Sequence, residues 1–154
     1  MSKLNENTND NSIVIFNFTQ HEFTKEQRDS HFCVNMGPEV NDWVKEQLTF
    51  SGEITQELLQ NRAMDLANYA EYIAMAFCED VGSNLKDIHI LIGGAPYFMP
   101  YLEKALISKG LTPIYSFSER VSEEVKQEDG TIKKVSSFKH KYFIPANPGL
   151  YEGY

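Results

Sequence analysis

Residues 88–96 read Ile-His-Ile-Leu-Ile-Gly-Gly-Ala-Pro, and this stretch decides the fold because an apolar run ends in two glycines and a proline. Its β-branched and apolar side chains favour a strand buried on both faces. Gly93 and Gly94 let the backbone turn and allow a ligand to approach it closely. Pro96 suits the first position of a helix, and Gly110 follows the predicted end of that helix. We therefore expect a strand-to-helix turn, either with a phosphate or carboxylate at the helix N-terminus or with no ligand.

The length and composition predict one domain without a membrane span. A chain of 154 residues can bury roughly two-thirds of its unfolded surface in a single core. No apolar run approaches the ~20 residues that cross a bilayer. Residues 1–12 are polar and lack the pattern of a secretory signal, so we expect a disordered leader and a cytoplasmic location. Cys33 and Cys78 lie far apart in sequence, and we interpret both as packing residues.

The charge distribution disfavours long nucleic acid as a partner. The net charge is −8, whereas proteins that bind the phosphate backbone of nucleic acid do so through clustered Lys and Arg. Residues 131–141 nevertheless carry four lysines and no acidic residue: Lys133, Lys134, Lys139 and Lys141. This patch either attracts a small polyanion or protects the exposed edge of a hairpin strand.

Apolar periodicity and turn residues predict alternating strands and helices. We expect strands at residues 13–18, 31–36 and 111–117, and helices after Thr24, after Pro38, over 53–81 and after Pro96. Asp129-Gly130 predicts a β-hairpin over residues 119–144. A strand, a helix and a second strand within ~30 residues form the crossover unit of a parallel sheet.

The predicted fold class is α/β. We expect a Rossmann-like, mostly parallel sheet flanked by helices, with a C-terminal β-hairpin. One domain spans residues 13–144, and residues 145–154 form a C-terminal tail with no periodicity.

Ligands of open α/β sheets bind beyond the carboxyl ends of the strands. The residues that follow the predicted strands are therefore candidates for a binding site, and they are polar or expose their backbone. They are Asn17, Thr19, Gln20, His21, Gly93, Gly94, Ala95, Ser116, Ser118 and Arg120.

Three candidates have alternative interpretations. His21 is either a general acid or base or a cap of its own loop. Arg120 offers a planar fork of donors to phosphate or forms an ion pair with a neighbouring glutamate of the hairpin. His140 lies between two lysines, which favours a side chain that points to solvent. We find no metal-ligand spacing, P-loop or three-glycine dinucleotide fingerprint, and we expect neither a metal nor a cofactor.

The order of motifs resembles the small stand-alone CRISPR-associated ring nucleases, relatives of the Rossmann-like domains that sense cyclic oligoadenylate. The resemblance spans roughly residues 13–144. It begins with Phe-Asn-Phe-Thr-Gln-His-Glu-Phe-Thr-Lys-Glu-Gln at 16–27 and includes Leu-Ile-Gly-Gly-Ala-Pro at 91–96. It ends with Pro-Ile-Tyr-Ser-Phe-Ser-Glu-Arg at 113–120, then Glu123, Asp129-Gly130 and Phe-Lys-His-Lys-Tyr-Phe at 138–143.

This resemblance implies a homodimer that binds one cyclic oligoadenylate, such as cyclic tetra-adenylate, and cleaves it without a metal. Each ribose 2′-hydroxyl would attack its neighbouring phosphate and leave a 2′,3′-cyclic phosphate. His21 would protonate the leaving oxygen, and Arg120 would hold the phosphate together with the N–H groups of the turn over 93–95. Thr19 and Ser118 would orient the ribose, and the catalytic residues would be His21, Arg120 and Thr19. The ligand-binding residues would be Asn17, Gln20, Gly93, Gly94, Ala95, Ser116, Ser118, Lys133 and His140.

Two other functions stay open. The domain could bind a nucleotide second messenger without cleaving it, as a sensor or a sponge. It could also be a protein interaction module whose glycine turn is only structural.

Overall fold

The computed structural model describes residues 13–146. Five strands form one sheet: β1 (Val14–Phe18), β2 (Phe32–Val34), β3 (Ile88–Ile92), β4 (Thr112–Lys126) and β5 (Ile132–Pro145). Their spatial order is β2-β1-β3-β4-β5. The first four strands run parallel, and β5 pairs antiparallel with β4. The predicted α/β fold, with a mostly parallel sheet and a C-terminal hairpin, is confirmed.

Four α-helices connect these strands. They are α1 (Lys25–Ser30), α2 (Pro38–Gln47), α3 (Gln56–Val81) and α4 (Met99–Ser108), and a short 3₁₀ turn (Leu85–Asp87) precedes β3. The capping box predicted at the start of α1 is present. Thr24 Oγ1 accepts a hydrogen bond from Gln27 N at 3.2 Å, and Gln27 Oε1 accepts one from Thr24 N at 2.9 Å. None of the helices in residues 13–146 is both long enough and apolar enough to cross a membrane.

The two faces of the sheet are covered unequally. The first face carries the main core, in which α2, α3 and α4 pack on side chains such as Phe16 and Ile90. Four buried alanines of α3 keep this helix close to its neighbours: Ala63, Ala67, Ala70 and Ala74. The second face carries a smaller cluster around Ile15 and Phe143, over which the short helix α1 lies. A short helix on one face leaves room for polar groups at the edge of the sheet.

The helix after the glycine turn begins later than predicted. It starts at Met99, whereas Pro96 lies in a turn that precedes it. In that turn the carbonyl of Ala95 accepts hydrogen bonds from Phe98 N at 2.9 Å and from Met99 N at 3.2 Å. Full burial of Phe98 holds the turn in place and delays the helix by three residues. Gly110 follows the end of α4 with φ of +76°, as its position in the sequence predicts.

The strand predicted at 111–117 and the first arm of the hairpin are one continuous strand, β4. A bulge between Phe117 and Ser118 bends the strand without ending it. Beyond this bulge β4 and β5 pair only with each other, and we call residues 118–140 the ribbon. The Asp129 carboxylate accepts hydrogen bonds from the backbone and hydroxyl of Thr131 at 3.0 and 2.6 Å, which confirms the predicted turn at the ribbon tip.

Candidate functional site

The carboxyl ends of β1 and β3 lie side by side. Phe18, the last residue of β1, pairs with Ile92, the last residue of β3. The next residues of both strands also touch, because a Cβ added to Gly93 would lie 3.6 Å from Thr19 Cγ2. The chain leaves β1 towards β2 on one side and leaves β3 towards β4 on the other, so the two connections run in opposite directions from this edge. Ligands of open α/β sheets usually bind at such a point. The structure therefore brings together the first two groups of predicted site residues.

Asn17 and Thr19 build the loop that carries His21. Asn17 Nδ2 donates to the His21 carbonyl at 2.6 Å, and Asn17 Oδ1 accepts from Thr19 N at 3.0 Å and from Thr19 Oγ1 at 2.7 Å. Thr19 Oγ1 in turn accepts from His21 N at 3.2 Å. These bonds occupy most of the polar capacity of both side chains, while the His21 side chain is exposed. Asn17 and Thr19 are thus positioning residues for His21.

Gln20 and the two glycines complete this part of the site. Gln20 Nε2 donates to Thr49 Oγ1 at 3.0 Å, which ties the loop to the segment after α2. Gly94 is exposed and has φ of +154°, a conformation that residues with a side chain rarely adopt. A Cβ there would also lie 3.3 Å from Met99 Cε. Both the backbone conformation and the close packing of Met99 therefore require glycine at position 94, which is the exposed residue of this turn.

Ser116 belongs to a polar chain on the second face of the sheet. Its Oγ lies 2.6 Å from His140 Nδ1, and Gln27 Nε2 donates to the same Oγ at 3.2 Å. The carbonyl oxygen of the Gln27 amide already serves the cap of α1, so its NH₂ group must face Ser116. We therefore assign the Ser116 hydroxyl as the donor to His140 Nδ1. The sequence indicated Gln27 only as a capping residue and missed its second contact.

His140 is buried, so the interpretation that it points to solvent is wrong. Only 7% of the residue is exposed, and its ring lies 4.4 Å from the ring of Phe143. The bulge explains this contact: it adds a residue to β5, so that His140 and Phe143, three residues apart, share one face. Burial lowers the pKa of His140 to about 4, His31 acts in the same direction, and Glu26 opposes both. His140 is therefore neutral at neutral pH.

Ser118, Arg120 and Lys133 lie in the ribbon and not directly after a strand. At ~3.3 Å per residue, Arg120 is about 13 Å beyond Ser116 along β4. Lys133, which pairs with Val125, is about 30 Å beyond Ser116 by the same measure. Within one protomer the structure does not bring Arg120 or Lys133 to the glycine turn.

The lysine patch is partly neutralised within the ribbon. Lys139 Nζ lies 3.1 Å from a carboxylate oxygen of Glu123, and Lys141 Nζ lies 3.8 Å from one of Glu119. Arg120, in contrast, forms no ion pair with any acidic residue in the part of the chain that the structure describes. Its guanidinium is therefore available to an anion. Across residues 13–146, no three His, Cys, Asp or Glu side chains converge as a metal-ligand set.

The fold and this edge define a Rossmann-like α/β domain with a candidate ligand site at the switch point of its sheet. The chain belongs to the family described as the uncharacterized protein MJ1673 family, whose model matches residues 13–144. No curated protein matches the chain significantly. No solved structure matches it significantly either.

Proposed function

We propose that the protein is a ring nuclease that cleaves a cyclic oligoadenylate, such as cyclic tetra-adenylate, without a metal and so switches off type III CRISPR signalling. The carboxyl edge of β1 and β3 would hold the reacting phosphodiester. The proposal includes a homodimer in the cytoplasm, where a diffusible nucleotide messenger acts. It follows the resemblance of the motifs between residues 13 and 144, and the geometry of the edge supports it.

The observation that carries this proposal is the contact between the His21 loop and the glycine turn. A phosphate placed against Gly93 would lie beside Thr19, two residues before His21, the only exposed histidine among residues 13–146. In the proposal, backbone N–H groups of this turn would bind the phosphate oxygens and stabilise the developing negative charge. The hydrogen bonds from Asn17 and Thr19 hold the loop before the ligand arrives. Such preorganisation is what a reaction that depends on positioning requires.

The proposed reaction is a transesterification within the ring. The ribose 2′-oxygen forms a bond to the neighbouring phosphorus, and the bond from phosphorus to the 5′-oxygen breaks. The 2′-hydroxyl gives up its proton to solvent, while the leaving 5′-oxygen takes a proton from His21. The products are a 2′,3′-cyclic phosphate and a 5′-hydroxyl, so atoms and charge balance without a cofactor.

A second protomer supplies what one protomer lacks in this proposal. In a single chain Arg120 is remote from the glycine turn, although its guanidinium has no acidic partner among the described residues. A twofold-symmetric ring between two copies would meet two glycine turns and two ribbons. Light scattering with and without cyclic tetra-adenylate tests this part, and a strictly monomeric complex would contradict it.

The deciding experiment incubates the pure protein with cyclic tri-, tetra- and hexa-adenylate in EDTA and identifies the products by mass spectrometry. We expect linear products that end in a 2′,3′-cyclic phosphate. His21→Ala should slow cleavage by roughly 100-fold or more, the usual contribution of a general acid, without loss of binding. Asn68→Ala, at an exposed position of α3 outside every part of the proposed site, is the control and should cleave normally. The absence of linear products from every ring would refute the nuclease.

The placement of Arg120 favours one alternative, a sensor or sponge that binds the ring and leaves it intact. Binding at the glycine turn needs only backbone donors, whereas cleavage also needs stabilisation of the transition state. An intact ring that raises the melting temperature would support this alternative. Arg120→Ala should weaken ring binding under either function, and unchanged affinity would assign Arg120 to the ribbon surface.

A further inference from the structure

A recess lies beside the His21 loop, at the carboxyl ends of β1 and β2. We call it the α1–α2 cleft, because α1 provides Arg28 and α2 provides Asn41 to its walls. Its volume is about 260 Å³ and it opens to solvent. Drug-sized ligands occupy pockets of roughly 300–1,000 Å³, so this cleft suits a smaller group. Asn17 also lines it, and the cleft therefore adjoins the loop that holds His21.

The charges of the cleft favour a neutral ligand. Arg28 is its one cation and Glu22 its one anion. Arg28 Nη1 donates to the carbonyl of Phe23 at 2.5 Å, which holds the guanidinium against the wall. Burial raises the pKa of the Cys33 thiol to about 11, so this residue adds no charge at neutral pH. A free phosphate binds best where several cationic donors have no acidic group beside them. The lining of this cleft has no net charge, so it does not suit a free phosphate.

The polar and apolar groups of the lining match a nucleobase. Phe23, Val34 and Met36 provide apolar surface for the faces of a flat ring. The amides of Asn35 and Asn41 provide donors and acceptors for its edge. Stacking on an aromatic or apolar wall with hydrogen bonds to the base edge is how proteins hold a base that has left its stack.

Asn41 has the free amide. The Asn17 amide holds the His21 loop, and Asn35 Oδ1 accepts from Gly37 N at 3.0 Å. The Asn41 side chain makes no hydrogen bond with any residue that the structure describes and is only partly exposed. An asparagine amide pairs with adenine through two hydrogen bonds, one to its amino group and one to a ring nitrogen.

We propose that the α1–α2 cleft binds one adenine base, with the Asn41 amide on the base edge and Phe23, Val34 and Met36 along its faces. The choice of adenine rests on the proposed function, whereas the preference for a neutral, flat and polar-edged group rests on the cleft. A base held here lies against Asn17, which also bonds to the His21 carbonyl. The cleft would thus place one nucleotide of the ring with its phosphodiester directed towards the glycine turn.

The test titrates the full chain with the neutral nucleosides adenosine, inosine and uridine and measures binding by calorimetry. We expect adenosine to bind more tightly than the other two. Asn41→Ala should weaken it by roughly 10-fold, the usual cost of losing an amide-to-adenine pair. Asn41→Asp, which keeps the size but loses the donor, should weaken it as well. Asn68→Ala, at an exposed position of α3, is the matched control and should change nothing.

Two results would overturn the cleft proposal. One is equal affinity for all three nucleosides, or no binding of any. The other is unchanged adenosine binding in both Asn41 variants, with circular dichroism showing that they are folded. Ring cleavage assayed on the same variants separates this proposal from the proposed function. If adenosine binds selectively through Asn41 but no ring is cleaved, the cleft proposal is supported and the nuclease is refuted. If the ring is cleaved with a KM that the Asn41 variants leave unchanged, only the cleft proposal is refuted.

Discussion

Acidification should destabilise this protein through His140. The ring is 7% exposed, and its pKa in the folded protein is about 4, against an ordinary value of 6.5. Between these two values the unfolded chain binds a proton that the folded chain does not, so the free energy of unfolding falls as the pH falls. The stabilisation is complete above pH 6.5 and is lost progressively towards pH 4. For this one group the loss at pH 4.5 is about 2–3 kcal/mol.

Urea unfolding at pH 7.5 and pH 4.5 measures this effect, provided that His140 is compared with a variant. His140→Asn keeps a polar atom for Ser116 and removes the titrating ring. We expect the variant to be less stable at pH 7.5, because the contact with Phe143 is lost. The difference from the wild type should shrink by about 2–3 kcal/mol at pH 4.5. His21→Asn makes the same chemical change on an exposed loop and is the control.

The contribution of the carboxylates cancels in this comparison, since both proteins carry the same ones. Protonation also reverses the role of His140 Nδ1, which can no longer accept the hydrogen bond from Ser116. Parallel pH profiles of the free energy of unfolding for the wild type and His140→Asn would refute the reasoning. A histidine that is neutral when buried must take up a proton on unfolding in this pH range. A pH dependence that disappears in His21→Asn instead would also refute it.

Three further substitutions test the fold around the site by urea unfolding at neutral pH. Gly94→Ala should lower the free energy of unfolding by about 1–2 kcal/mol, because alanine is strained at φ of +154°. An unchanged stability would show that the turn relaxes. Arg62→Met should lower the free energy of unfolding by about 1–3 kcal/mol, since Arg62 Nη1 donates to two carbonyls at the end of α2 at 2.8 and 2.9 Å. Arg62→Lys should recover part of this stability. Equal losses in the two variants would contradict a role for these hydrogen bonds. Gln27→Ala should lower the free energy of unfolding by about 1–3 kcal/mol, because it removes the side-chain half of the capping box and the bond to Ser116. A loss no larger than that of Thr24→Ala would contradict the contact with Ser116.

Local signals explain which parts of the fold were predictable. The apolar runs, the Thr24–Gln27 capping box and the Asp129-Gly130 turn each act over a few residues and are present as predicted. The continuity of β4 from the parallel sheet into the hairpin was not predicted, because Ser118-Glu119-Arg120 is as polar as a loop and only the antiparallel partner keeps this segment in the strand. The delayed start of α4 likewise depends on the burial of Phe98, which is a property of the whole core.

The same distinction applies to the site. The neighbourhood of Thr19 and Gly93 follows from parallel strands whose carboxyl ends meet at one edge, so the sequence was sufficient to predict it. The burial of His140 depends on a bulge that shifts the alternation of β5 by one residue, and no local pattern marks that bulge. The α1–α2 cleft is formed by residues from two strands and two helices, and its shape exists only after they pack.

The order of the strands has a consequence for how the chain folds. The ribbon closes over the five residues between Lys126 and Ile132, and a hairpin of this kind forms in about 1–10 μs. β1 meets β3 only when Val14 reaches Ile88, which closes a loop of about 70 residues at a larger entropic cost. The contact between Thr19 and Gly93 depends on that late pairing. The candidate site therefore forms only with this long-range pairing, whereas the ribbon needs only its own turn.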